Sequence, residues 1–419
     1  MNPDITDDLD QGRFQKALTE TFLSLRNRNF RLYFRGQLVS NTGNWLTNIA
    51  LTLLVLNLTH SGLAVGILAA CQYGPILLLS AYAGAVADRS DKRKLLIITQ
   101  ILEMLQSICL AVFAFLPHTP ILGLYIIAIA GGLFLAFDNP LRRSFVSEMV
   151  PESDLPNAVV LYSTVVNGSR ILGPLIAGAL VTTVGYGWCF TLDALSYIAV
   201  LVSLFNMNPS ELYRKKISTQ TKGAIRAGLS YVIHTPRLCI NFAMLIAIGL
   251  LTYNFNITLP IFVTKALHGN AGIYTLLYAA FSVGAVITTL FVARRVTVKM
   301  HHVTAGALLL GLATLLLSVV PNTLWALPAI FLVGAASIMY MTATTALVQL
   351  EAKANMRGRV LALQTVILIG PTALGGPVLG GLADAFGSRS PLIIGGVAAI
   401  ITAILGYQAA SGLTKQPAK

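Results

Sequence analysis

Gly84-Ala85-Val86-Ala87-Asp88-Arg89-Ser90-Asp91-Lys92-Arg93-Lys94 is a short knot of charge between two long apolar runs, 62–87 and 94–116. A helix that crosses a bilayer needs roughly 20 apolar residues, and each flanking run is long enough. The knot therefore reads as a loop between two membrane spans. Its four basic residues hold it on the cytoplasmic side, where positive charge is retained during insertion. That explains the lysines and arginines, but not Gly84 and Asp88 at their spacing. Gly84 is expected to let the preceding helix pack closely against a neighbour. Asp88 can meet either the positive N-terminal end of a facing helix or a basic partner.

The same pattern runs outward in both directions. The 419 residues are 55% hydrophobic and only 11% charged, with mean hydropathy +0.74, well outside the soluble average. Twelve spans are expected, near 38–58, 62–87, 94–116, 121–138, 158–183, 188–207, 238–264, 271–293, 303–320, 325–349, 360–383 and 391–410. They are too long, and alternate too little, for the roughly 10-residue strands of a membrane barrel, so the fold class is an all-α integral membrane protein. Of the 29 lysines and arginines, 26 fall on one side of these spans. Lys265 and Arg389 fall on the other side, and Arg170 lies inside a run. Both termini are thus expected in the cytoplasm. The net charge of +13 is a topology signal, and its scatter over loops argues against nucleic-acid binding.

Five segments are expected: a cytoplasmic tail and short interfacial helix (1–36), a six-helix bundle (37–207), a cytoplasmic linker with an amphipathic helix (208–237), a second six-helix bundle (238–410) and a tail (411–419). The acidic start of the chain is too polar for a signal peptide. The fifth span contains Gly173-Pro174-Leu175-Ile176-Ala177-Gly178 and the eleventh Gly376-Pro377-Val378-Leu379-Gly380-Gly381, 203 residues apart. Each alone reads as helix packing, since small residues permit close approach and proline bends a helix. Together, at equivalent positions, they mark an internal repeat of the kind that rocks about a central site in alternating-access carriers. The four cysteines lie in separate spans without a CxxC pair, so neither a disulfide nor a metal site is expected. His301-His302 reads as a solvated loop. Trp188 and Trp325 sit where interfacial aromatics belong.

Here the chain resembles a known family. Gly84, Asp88, Arg89, Lys92 and Arg93 match the GxxxDRxxRR signature of the major facilitator superfamily; Asp91 departs from it, since a small residue is usual there. Gly168, Gly173, Pro174 and Gly178 resemble that superfamily's antiporter motif. The segment Ala293-Arg294-Arg295-Val296-Thr297-Val298-Lys299 is a degenerate copy of the first loop. Leu25–Arg31, Gly43-Asn44-Trp45-Leu46, Phe137–Arg143, Asp154–Ala158, Asn167-Gly168-Ser169-Arg170, Tyr253–Asn256 and Leu259-Pro260 are similar to the enterobactin-exporter-like branch, also called transmembrane secretion effectors. The likeness runs from about Leu25 to Tyr407. It implies two pseudo-symmetric six-helix bundles in the bacterial cytoplasmic (inner) membrane and a multi-pass secondary exporter. It further implies the proton gradient as energy source, no cofactor, and a siderophore, drug or similar amphiphile as substrate. Function as a monomer is expected.

Ionisable groups at bilayer depth are functional candidates by default. Arg170 lies about 20 Å into span five and Asp193 about 9 Å into span six from the opposite side. That places both at nearly equal depth on consecutive antiparallel helices. They are expected to pair, or to share a polar cavity, either as a proton-coupling element or as a static structural pair. Glu103 reads as a second proton carrier or as a group facing a cytoplasmic vestibule. Asp138, beside Arg142 and Arg143, reads as a cytoplasmic gate or anchor at the end of span four. Asn41, Asn44 and Asn48 share a helix face. With Gln72, Tyr73, Asn167, Tyr253, Asn254, Asn256 and Gln364 they are the candidates for a substrate cavity, although amides at this depth often merely join helices. No GxxxxGK[ST] motif supports ATP-driven transport by this chain. The alternatives are import of a small solute or lysolipid on the same fold and, from another class, an integral membrane enzyme, for which no catalytic cluster of His, Asp or Glu is visible.

Overall fold

The computed structural model describes residues 22–213, 224–292 and 298–415. The acidic N-terminal stretch, Arg214, Lys215, Lys216, Lys222, Arg294, Arg295 and Lys419 lie outside the described residues. So do the side chains of Asp88 and Arg226. Every described element is helical. In chain order the α-helices are α1 (Arg28–Thr59), α2 (Gly62–Arg89), α3 (Lys92–Phe115), α4 (Ile121–Val146), α5 (Leu155–Thr183) and α6 (Tyr186–Phe205), then a short α7 (Ala224–Ile233). They continue with α8 (Pro236–Leu251), α9 (Phe255–Ala266), α10 (Ala271–Val292), α11 (Met300–Val319), α12 (Thr323–Glu351), α13 (Ala354–Phe386) and α14 (Ser390–Lys415).

Eleven spans among the described residues are long and apolar enough to cross a membrane, α8 and α9 counting as one; α1 is not among them. Its face of Gln37, Ser40, Asn41, Asn44 and Asn48 lowers its apolar content, and it packs instead on α5 and α6. In the first half α3 also packs on α4 and α6, and α2 on α4. In the second half α10 packs on α12, α11 on α12 and α14, and α8 on α13 and α14. The halves meet along α2 with α13 and α5 with α10.

Several boundaries differ from expectation. A short 3-10 helix, Leu23–Arg26, precedes α1, which itself begins at Arg28, ten residues before the expected start of span one. The seventh span is two helices. Asn254 stands at the break and its Nδ2 donates to the carbonyls of Gly249 (3.1 Å) and Leu250 (2.8 Å), which have lost their partners at the end of α8. The fourth span does not stop at Asp138 but runs to Val146, because its last turns pack against α5 and α1 rather than entering a loop. α14 likewise continues past 410 to Lys415.

The glycines record which end of the bundle is closed. A Cβ built on Gly66 would strike the Gly376 backbone, and one on Gly380 the Gly62 backbone; Gly178 meets Thr275 in the same way. All these contacts join the two halves, at the end away from the basic loops. Toward the basic end, Gly84, Gly168 and Gly358 have nothing within 4 Å of such a Cβ. The expected close packing at Gly84 is therefore absent in this conformation: the halves diverge there. The bundle is shut at the far end and parted at the basic end.

Candidate functional site

Two buried polar groups and one aromatic cluster lie in and beside the first half. The first is centred on Arg142 of α4. Its Nε bonds Asp138 one turn back, its NH2 bonds Glu103 Oε2 at 3.2 Å, and its NH1 donates to Gln37 Oε1 at 2.7 Å. Asp138 also accepts from Thr99 Oγ1 (3.0 Å) and Gln100 Nε2 (2.8 Å) of α3. Asp138 is fully buried, and Glu103 and Arg142 nearly so. Asp138, expected as a cytoplasmic gate or anchor, is buried inside the bundle, and Glu103, expected as a proton carrier or vestibule group, is bonded to Arg142 there. α4 carries Asp138 inward past its expected end, and the guanidinium draws Glu103 into an ion triad. Arg143, next in sequence, points to the exposed side. Asn41 donates to Gln37 Oε1 at 2.9 Å and so belongs to this network.

The second group surrounds Asp193 of α6. Its Oδ2 accepts from Thr47 Oγ1 at 2.6 Å and Ser107 Oγ at 2.7 Å, and its Oδ1 from Ser196 Oγ at 3.4 Å. The approach depends on Gly43 of α1, where a Cβ would lie 2.6 Å from Oδ1. Asp193 and Glu103 both line a cavity of about 60 Å³ together with Asn44, Asn48, Gln72 and Tyr73. Asn48 reaches the Tyr73 hydroxyl at 3.5 Å, and Tyr197 lies on the same wall. A chamber of this size holds a few waters and is far below the roughly 300 Å³ at which small-molecule pockets begin. Four of the expected substrate contacts thus line a water-sized chamber inside one half.

Arg170 is elsewhere. Its guanidinium lies 5.4 Å from the Trp45 ring centroid, its carbonyl accepts from Ser282 Oγ of α10 at 3.4 Å, and its Nε is buried without a hydrogen-bond partner. The expected pairing with Asp193 is not formed. Equal depth on neighbouring helices does not fix rotation about the helix axis, and α5 turns Arg170 toward the other half while α6 turns Asp193 toward α1 and α3. Around Arg170 the aromatics of both halves adjoin. Trp45 lies 5.9 Å from Tyr278, Tyr278 5.9 Å from Phe281, and Phe281 5.4 Å from Phe255. Tyr278 donates to Asn256 Oδ1 at 2.9 Å, and Tyr253 to the Ser337 carbonyl at 2.5 Å.

Of the remaining candidates one joins two helices and one bonds its own. Gln364 donates to Thr345 Oγ1 at 2.9 Å, and Asn167 to the Ser163 carbonyl within its own exposed face. In the loop after α2, Lys92 pairs with Glu148 at 2.5 Å. Arg93 donates to the carbonyls of Leu204 (2.8 Å) and Phe205 (3.3 Å) at the end of α6, while Arg89 is exposed. Gly173 abuts Trp45, Pro174 is buried, Gly376 and Pro377 both meet Gly66, and Gly381 is 3.8 Å from Leu63. Sequence reasoning missed Thr47, Ser107 and Ser196 around Asp193, and Gln37, Thr99 and Gln100 around Arg142. The spacing of Gln100, Glu103 and Ser107 on one face of α3 was a usable signal. Serines and threonines inside apolar helices carry none, because most bond their own helix.

The family model described as transmembrane secretion effector matches residues 19–416. The chain belongs to the transmembrane secretion effectors, an MFS family. This effector is 27% identical over 388 residues to the staphyloferrin A transporter of Staphylococcus aureus, covering 90% of this chain and 95% of the relative. It is 23% identical to the enterobactin exporter of Shigella flexneri, covering 84% of each. Among solved structures it is similar in fold to a POT family transporter in complex with 5-aminolevulinic acid, with TM-score 0.76, 14% identity and 93% of this chain and 97% of that one covered. A bacterial homologue of the human lysosomal transporter Spinster, inward-facing and unoccupied, gives TM-score 0.72 at 15% identity, covering 93% and 99%. The effector is a multi-pass transporter of the bacterial cytoplasmic membrane, not an enzyme.

Proposed function

We propose that this effector exports a siderophore or similar anionic amphiphile by alternating access, driven by protons that bind in its first half. The observation that carries the reading is the set of buried carboxylates Asp193, Glu103 and Asp138, of which one guanidinium, that of Arg142, bonds Glu103 and Asp138 while Asp193 has only hydroxyl partners. Buried charge without a counter-charge is costly, and three carboxylates against one cation favour proton uptake. Asp193 has hydroxyl partners that serve it in either protonation state, since a hydroxyl can donate or accept. The water-sized chamber beside it suits proton delivery. Substrate belongs to the other charged group, where Arg170 faces the gap between the halves among Trp45, Tyr278 and Phe281. A guanidinium with aromatic neighbours recognises an anion carrying a flat apolar body. The names of the two relatives support siderophores as the class.

The test compares metabolites inside and outside native-host cells, in iron-poor and iron-rich medium, for wild type, a deletion, and the deletion carrying Asp193→Asn or Arg170→Gln. Expected is a compound retained by the deletion under iron limitation and restored to the medium by wild type alone. Both variants should reach the membrane at normal abundance. In proteoliposomes Asp193→Asn should abolish transport driven by a pH gradient yet still exchange substrate down its own gradient. Arg170→Gln should fail in both. Normal gradient-driven export by Asp193→Asn would remove the proton assignment; a compound depleted from the medium by wild type would indicate import instead.

A further inference from the structure

The loop after α2 has a counterpart on the opposite face of the molecule. α2 closes with Gly84-x-x-x-Asp88 and Arg93 five residues on; α13 closes with Gly380-x-x-x-Asp384 and Arg389 five residues on. The two arginines do the same thing. Arg93 donates to the last carbonyls of α6, and Arg389 NH1 donates to the Ser318 carbonyl, at 2.5 Å, in the last turn of α11. Each thereby caps the negative end of a helix in its own half. Asp384 accepts from the backbone N–H of Gly62 (2.8 Å) and Leu63 (2.9 Å) and from Ser61 Oγ (2.7 Å). All three belong to the start of α2, in the other half. Lys265 Nζ, at 2.8 Å, completes its shell. A carboxylate at the first N–H groups of a helix meets both its unpaired donors and its positive pole.

α2 and α13 run antiparallel, with Gly62 against Gly380, Gly66 against Gly376 and Leu77 against Gly370. Continued to the basic end, this register puts Asp88 level with the first turn of α13. Each helix thus ends in an aspartate opposite the first turn of the other. We infer that Gly380, Asp384 and Arg389 form a second latch, which holds the far end shut by capping α2 across the interface between the halves. The loop around Asp88 holds the basic end shut in the alternate state. One latch must release for the other to engage. The latch operates whatever the substrate or coupling ion.

The test uses the full chain in oriented membrane vesicles with Cys71, Cys109, Cys189 and Cys239 replaced. One reporter is Ala69→Cys, buried beside Gly376 at the closed far end; the other is Ser163→Cys, exposed toward the basic end. Asp384→Asn should raise the labelling rate of Ala69→Cys by an impermeant maleimide by about ten-fold and lower that of Ser163→Cys, as expected for a shifted two-state equilibrium. Asp88→Asn should do the reverse, and the double variant should fall between. Rates changed by less than about two-fold, or raised at both ends together, would overturn the latch. Should Asp384→Asn not fold, Ser61→Ala and Lys265→Gln each remove one of its bonds and must shift Ala69→Cys in the same direction. Failure of both to do so would equally overturn it.

Discussion

At the scale of single residues, the ion triad and the hydroxyl-bound aspartate differ in what their loss should do. Arg142 is the sole cation bonded to Asp138 and Glu103 among the described residues. Arg142→Met would strand two carboxylates in the bundle, and breaking a buried pair costs about 3–5 kcal/mol. The expected result is a large fall in thermal midpoint in detergent. Most of it should return when Asp138→Asn and Glu103→Gln are added, because amides leave no unpaired charge. Asp193→Asn should leave the midpoint almost unchanged, since Thr47, Ser107 and Ser196 can still bond an amide oxygen. The sequence made Asp193, Glu103 and Arg170 visible, because charge inside an apolar run is conspicuous, whereas Arg142 reads as a cation beyond the end of span four. It did not pair them correctly. Asp138 and Arg142 are one helical turn apart, a relation that spacing reveals. Whether Arg170 looks toward Asp193 or toward Trp45 depends on helix rotation, which the depth argument leaves free.

At the scale of helices, two glycines of equal appearance in sequence have opposite standing in this conformation. Gly376 touches the Gly66 backbone, whereas Gly84 faces open space. Gly376→Leu should force α13 away from α2, opening the far end and stopping transport. Gly84→Leu should fold normally and keep the basic end accessible. It should also reduce transport by about ten-fold or more, because it obstructs only the state in which the basic end closes. Maleimide accessibility at both ends, measured with transport, separates the two. The spacing of Gly173-Pro174 and Gly376-Pro377 placed both on long helices, where the structure has them. Their partners were not legible: Gly173 abuts Trp45 within its own half, while Gly376 meets the other half. Repetition of a motif says that two helices are counterparts and leaves open what each one touches. The break at Asn254 was equally hidden, since an apolar run with one proline reads as a continuous span.

At the scale of the whole molecule, transport requires the closed far end to part. Ala69 and Gly376 lie on the two halves there, with a Cβ built on Gly376 3.3 Å from that of Ala69, close to the roughly 3.5–4.5 Å of a disulfide. Ala69→Cys with Gly376→Cys should cross-link on oxidation and stop transport, and a reductant should restore it; transport undiminished by complete cross-linking would mean that the far end does not open. The all-helical membrane fold class was legible, since it rests on runs of apolar residues; the count of twelve was not, since eleven of the described spans are long and apolar enough to cross and α1 is not among them. The conformation was not legible either, because both states use one sequence. α1 has a consequence of another kind. It falls short of the apolar content of the other spans, having given one face to amides and hydroxyls that serve Asp193, Arg142 and the chamber. During synthesis it emerges before α3, α4 and α6, the helices that receive that face. It should therefore enter the bilayer poorly by itself and be retained only once α2 follows. Nascent chains truncated after His60 should extract from membranes with alkali, and chains extended through Lys94 should resist it.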